Sequence, residues 1–210
     1  MTTLILDAEF EAQAIAQRRA SGLDRYDEVW DGVYVMAPLA NNEHQFLAFE
    51  LAHILRIVCG GSATILAGCN VSDREVDWTS NYRCPDVALY FPTNPAKDME
   101  THWFGGPDFG SEVSSPKDRT WDKLDFYAAV NTRELLIIDR DPWKLSLMQL
   151  RDQHLVLAGA STMEKPLPVS STVLPISLQL VPREGQKPLI EVRHLHDGRR
   201  WNVDPVIPGR

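Results

Sequence analysis

The chain contains no apolar run long enough to span a bilayer. Its first residues, Met1-Thr2-Thr3-Leu4-Ile5-Leu6-Asp7, carry neither a basic flank nor a small-residue cleavage site. Both absences point to a cytoplasmic protein. Cysteine is scarce: Cys59, Cys69 and Cys84 are scattered in apolar surroundings without metal-type spacing, and buried free thiols are expected. Basic charge is in deficit as well. A net charge of −8 counts against a protein that grips nucleic acid mainly by its electrostatic footprint. It is compatible with a carboxylate site that meets phosphate through metal ions. Also missing are a phosphate-cradling glycine loop, a nucleophile elbow, a zinc-binding His-Glu helix and a helix-turn-helix reading head.

What is present is ordinary for one sizeable globular domain: 210 residues, 44% of them hydrophobic and 24% charged. Ala8 to Arg19 reads as a short amphipathic helix, with Phe10, Ala14 and Ile15 at helical spacing and Gly22 as its stop. Residues 26–36 read as a hairpin turned by Asp31-Gly32, because glycine tolerates the positive φ of such turns. Asn42 is the expected N-cap of a helix over Glu43 to Cys59. Its apolar stripe is Leu47, Leu51, Ile54, Leu55 and Val58, and Gly60-Gly61 ends it. A short strand over 63–68 precedes a polar connection over 72–82. Asp86 to Phe91 has no alternation, which fits a centre strand covered on both faces. Residues 92–106 read as loop.

Alternation in Phe109 to Ser114 places Glu112 and Ser114 on one face and Phe109, Ser111 and Val113 on the other. Ser115-Pro116-Lys117-Asp118 has the form of a capping box, opening a helix to about Val130. Glu134 to Asp139 is a second buried strand, and Lys144 to Leu150 pairs with it in a hairpin. Beyond residue 150 prolines separate short β-like pieces, expected as edge strands and loops. The predicted architecture is α/β: a mixed central β-sheet flanked by helices in a core over 1–150. A β-rich C-terminal extension over 151–210 packs on the same domain.

Chemistry concentrates between Arg83 and Asp139. Asp86 opens an apolar strand, either as a solvated cap or as a ligand pointing into a cleft. Asp108, on the face of Glu112 but roughly 13 Å along an extended strand, is too far away to share a metal ion. Glu112 lies in a segment fit for burial, so its carboxylate needs a partner, a metal or a structural lysine or arginine. Lys123 shares a helical stripe with Thr120, Tyr127 and Val130. It either leans over the sheet to the carboxylates or snorkels to water. Together Asp86, Glu112 and Lys123 would supply two oxygen ligands for Mg²⁺ or Mn²⁺ and one cation. Such a centre polarises a phosphoryl oxygen, activates a water and stabilises developing charge. His194-x-His196 would face one way on a strand, without an acid pattern nearby.

These pieces occur in a recognisable order: Glu28–Asp31-Gly32, Asn42-Glu43-His44, Pro85-Asp86, Glu112-x-x-Ser115-Pro116, Asp122-Lys123, Tyr127 and Ile138-Asp139. Over about residues 24 to 150 the chain resembles the Uma-type (Uma-two) family of restriction-endonuclease-like proteins, in the PD-(D/E)xK nuclease superfamily. The resemblance implies a nuclease core with Asp86 and Glu112 as metal ligands, Mg²⁺ or Mn²⁺ as cofactor, DNA as substrate and a possible homodimer. It also makes Glu28, Glu43, His44, Ser114 and Tyr127 candidate outer-shell residues. For Glu28, Glu43 and His44, hairpin-end or helix-cap roles compete with that reading. One departure is plain: the superfamily pattern has lysine two residues after the glutamate, where this chain has Ser114. Lys123, migrated to the following helix, is the replacement the resemblance suggests. The competing reading is a nuclease-fold binding module for nucleic acid or protein, and hydrolysis of a non-nucleic phosphoester is a third.

Overall fold

The computed structural model describes residues 8–115 and 118–206. Helix α1 (Ala8–Ser21) ends at Gly22, in the left-handed conformation that glycine adopts without strain. It is not the amphipathic helix expected. No described side chain over 9–21 is buried, and Phe10 is 60% exposed. Among the described contacts of α1, the Arg18 guanidinium donates to both Asp27 carboxylate oxygens at 2.6 Å. The hairpin follows as read, β1 (Glu28–Trp30) and β2 (Val33–Val35) joined by Asp31-Gly32, both residues at positive φ.

Helix α2 (Asn42–Cys59) buries Leu47, Leu51, Ile54 and Leu55 and ends on left-handed Gly60. Its N-cap is Asn41, one residue earlier than expected. Asn41 is the residue with extended backbone, and its side-chain oxygen accepts the His44 N–H at 2.9 Å. Strand β3 (Thr64–Leu66) then leads into segments read as irregular that in fact form short strands: β4 (Val71–Ser72) and β5 (Tyr82–Arg83). After β6 (Val87–Tyr90) the supposed loop contains β7 (Lys97–Asp98) and β8 (Trp103–Phe104). Two-residue strands carry no periodicity to read. With the hairpin they make a six-stranded sheet ordered β2-β1-β5-β4-β8-β7.

The central sheet is built around β9 (Phe109–Ser114) and β10 (Glu134–Arg140), which run parallel. Their crossover begins as a 3₁₀ turn over Thr120–Lys123 and continues as α3 (Leu124–Ala129). The helix is therefore shorter than the Ser115–Val130 span expected. The capping box falls partly on Pro116 and Lys117, outside the described residues. No side chain caps the start of the 3₁₀ turn or of α3. Strands β11 (Trp143–Arg151) and β12 (His154–Thr162) complete the mixed sheet, ordered β12-β11-β10-β9-β6-β3. The C-terminal strands β13 (Val169–Ser170), β14 (Ile176–Arg183), β15 (Gln186–His194) and β16 (Arg200–Val203) form an antiparallel sheet of their own.

Two cores flank the central sheet. On one face Val87, Leu89, Phe109, Val113, Leu136 and Ile138 pack with the α2 stripe and with Ile176, Leu178, Ile190 and Val192 of the C-terminal sheet. On the other, Leu135 and Ile137 pack with Phe126, Tyr127 and Val130 around α3. Of the three cysteines, all free, only Cys84 is fully buried; Cys59 and Cys69 are half-buried. A hydrogen-bonded clamp joins the two halves. The fully buried Glu134 carboxylate accepts from Gln149 (3.0 Å), the Thr172 N–H (2.8 Å) and hydroxyl (2.7 Å), and the Ser171 hydroxyl. Glu134→Ala leaves those donors without an acceptor. It is expected to cost about 2–4 kcal/mol in urea-induced unfolding.

Candidate active site

The position of Asp86 follows from register. Val87 pairs with Ser111 across antiparallel β6 and β9, so one step further Asp86 stands opposite Glu112. The Asp86 carboxylate closes the end of that ladder: Oδ2 accepts the Val113 N–H at 2.7 Å. The same oxygen lies 3.2 Å from His44 Nε2, delivered by the first turn of α2. Oδ1 takes no hydrogen bond among the described residues.

Glu112 points to the α3 face of the sheet. Lys123 Nζ donates to Oε1 at 3.0 Å and to Oε2 at 3.1 Å, and the Tyr127 hydroxyl donates to Oε1 at 2.5 Å. The third Lys123 proton goes to Glu28 Oε1 at 2.9 Å. Glu28 is itself fixed by the Cys84 N–H on Oε1 (2.8 Å) and by Trp30 Nε1 on Oε2 (2.7 Å). Lys123 thus reaches the carboxylates, because the crossover drops its Nζ between the N-terminal hairpin and β9. Glu28, Glu112, Lys123 and Tyr127 are all buried.

Charge in this pocket is unbalanced. Two carboxylates, Glu28 and Glu112, share the Lys123 ammonium, and the Asp86 charge acts on Glu112 from the neighbouring strand. Burial is the main cause that pushes Glu112 up; Lys123 opposes it, the Asp86 and Glu28 charges add to it, and its pKa comes to about 8. Burial alone would lower the Lys123 pKa, but the Glu112 and Glu28 carboxylates outweigh it and hold the ammonium above the usual lysine range. Tyr127 is raised well above a free phenol by burial and by Glu112. All three groups hold their protons: burial is the largest cause for Glu112 and Tyr127, the two carboxylates outweigh it for Lys123, and one ammonium between two carboxylates leaves positive charge scarce beside Glu112.

A divalent cation fits that shortage. Of the four lone-pair positions on Glu112, two are taken by Lys123 and one by Tyr127, which leaves one on Oε2. With Asp86 Oδ1 this makes two open carboxylate oxygens. Among the described residues no group of three His, Cys, Asp or Glu side chains could hold a metal ion. Two carboxylates with water and substrate phosphate is nevertheless a usual arrangement for Mg²⁺.

The remaining sequence candidates divide. His44 touches Asp86, whereas Glu43 turns away to Arg140 (3.3 Å) and Lys187. Ser114 is buried beside Asp139 and its carbonyl accepts Arg140 Nε at 3.1 Å. Sequence reasoning missed Arg140, whose buried guanidinium also holds Asn41 Oδ1 (2.9 Å) and the Ser115 hydroxyl. It thereby ties α2, β9 and β10 together beside the site. The signal was available: Arg140 closes the strand whose apolar run is Leu135 to Ile138, as Asp86 precedes the run of β6. Arg83 was named only as a flank, yet its guanidinium sits between the Trp30 ring (4.6 Å) and the Phe126 ring (4.2 Å). Asp108 is structural, accepting from the Phe91 N–H, Asn94 and Arg133. His194 pairs with Asp197 at 2.8 Å, an acid the sequence reading passed over.

Comparison with known proteins agrees with this architecture. The family model Uma2, described as "Putative restriction endonuclease", matches residues 9–183. The fold is similar to the crystal structure of a "putative nuclease belonging to DUF820" from Anabaena variabilis. The TM-score is 0.54 at 14% sequence identity, over 69% of this chain and 80% of that one. No curated protein sequence matches the chain.

Proposed function

Because this chain belongs to the Uma2 family, we propose that it is a metal-dependent endonuclease hydrolysing DNA phosphodiester bonds at the Asp86–Glu112–Lys123 pocket. One observation carries the reading: the buried carboxylates Glu28 and Glu112 share a single ammonium beside half-buried Asp86, and one oxygen each of Glu112 and Asp86 remains open. A bound Mg²⁺ or Mn²⁺ would supply Lewis acidity, polarising a phosphoryl oxygen and lowering the pKa of an attacking water. Asp86 would hold it through Oδ1, with His44 and the Val113 N–H fixing Oδ2. Glu112 would hold it through Oε2, with Tyr127 fixing Oε1. Lys123 stabilises charge developing on the phosphorane oxygens and stands in for the lysine that Ser114 replaces. Ser114 is also what favours the second reading, a binding module without catalysis. The contacts of Lys123 with Glu112 weigh against it.

The test is cleavage of supercoiled plasmid in Mg²⁺ or Mn²⁺. Nicking that requires the metal is expected. Absence of cleavage together with no metal-dependent rise in melting temperature would leave the binding module.

The Glu112 shift also predicts a pH dependence. Metal must displace the proton that Glu112 retains up to about pH 8. Mn²⁺ affinity is therefore expected to rise by up to about tenfold per pH unit below that value and to level off above it. Titration calorimetry between pH 6 and 9 checks this. The metal-free fold should show the opposite slope. A carboxyl raised from 4.5 to about 8 stabilises the folded state fully below pH 4.5 and loses that contribution as pH rises through 8.

A further inference from the structure

Resting on the proposed metal site, we infer that Glu28 is a positioning residue that keeps Lys123 in the pocket when Glu112 turns to the metal. All three ammonium protons are committed in this structure, two to Glu112 and one to Glu28. An ion on Glu112 withdraws electron density from the oxygens that hold two of them. The ammonium then needs an anion that is not a metal ligand, or it is expelled by a neighbouring divalent charge. Glu28 is built for that part. It is 4% exposed, its Oε1 is aimed by the Cys84 N–H and its Oε2 by Trp30 Nε1. The contact also ties two segments together: Cys84 sits two residues before Asp86, so one carboxylate fixes both the lysine and the approach to the metal-binding aspartate. The division of labour is that Glu112 gives up a hydrogen bond from Lys123, freeing that N–H to face the substrate, while Glu28 keeps its hydrogen bond from the same ammonium.

The consequence is a coupling between Glu28 and metal affinity that runs through Lys123. In Glu28→Gln the ammonium has only Glu112 as an ionised partner, so metal binding must compete for it. The experiment is titration of the full chain with Mn²⁺, free ion read by electron paramagnetic resonance. It uses the wild type, Glu28→Gln, Glu28→Asp, Lys123→Met and the Glu28→Gln/Lys123→Met double variant, with circular dichroism melts confirming each fold. Glu28→Gln is expected to bind Mn²⁺ about tenfold more weakly and Glu28→Asp within about threefold of wild type. The double variant should bind no more weakly than Lys123→Met alone. If the Glu28→Gln loss persists in the Lys123→Met background, Glu28 acts by general charge or shape and the inference is overturned. Should Lys123→Met not fold, equal losses in Glu28→Gln and Glu28→Asp overturn it instead. A wild type that binds no Mn²⁺ refutes the metal-dependent function itself and this inference with it, a result distinct from normal binding that Glu28 variants leave unchanged.

Discussion

Replacing Lys123 by alanine is expected to destabilise the metal-free protein by about 3–5 kcal/mol at pH 8, the usual cost of stripping one partner from a buried ion pair. Glu112 and Glu28 then lose the cation they share, and the Asp86 charge beside Glu112 adds to the repulsion there. The loss should be smaller at pH 5, where Glu112, already raised toward 8, holds a proton that does part of the lysine's work. Mg²⁺ at millimolar concentration should restore part of the melting temperature, because it supplies charge to the same pocket. Plasmid nicking should not return with the fold. Urea melts at the two pH values, with and without metal, measure these effects. A variant as stable as the wild type at pH 8 would mean that Lys123 is not the pocket's counter-ion.

Glu112→Gln separates chemistry from stability. The amide keeps an acceptor for Lys123 and nearly the same volume, so the fold should lose no more than about 1–2 kcal/mol. The open charged oxygen is gone, and cleavage is expected to fall by about 10³-fold or more, with Mn²⁺ binding weakened in parallel. Retained nicking in this variant would remove Glu112 from the metal site. Lost nicking with unchanged Mn²⁺ binding would leave the metal on Asp86 and other ligands.

Much of the scaffold was legible because its elements carry a local signal, whether a helical stripe, an unbroken apolar run or a turn-forming pair. The α2 stripe, the apolar runs of β6 and β10 and the Asp31-Gly32 turn each follow a local rule. The failures came where local rules are weak. Strands β4, β5, β7 and β8 have two residues each, and only pairing with one another defines them. Helix α1 carries apolar residues at helical spacing, yet an Arg18–Asp27 contact anchors it. Spacing reveals a stripe but not whether anything covers it.

For the site, the sequence by itself determined which residue types were available: acids at the mouths of apolar strands, a lysine on a helical stripe with a tyrosine, and a serine where a lysine would stand. It also determined that Glu112 must have a partner, since burying a lone carboxylate is too costly. Which partner it has, only the tertiary structure decided. Lys123 lies 11 residues from Glu112 and 95 from Glu28, and no periodicity links positions so far apart. Their meeting depends on the crossover geometry after β9 and on the hairpin that carries Glu28 to the Cys84 N–H. Side-chain chemistry is a local property and can be read along the chain. The balance of charge in a pocket is a sum over elements that folding brings together, and it exists only in three dimensions.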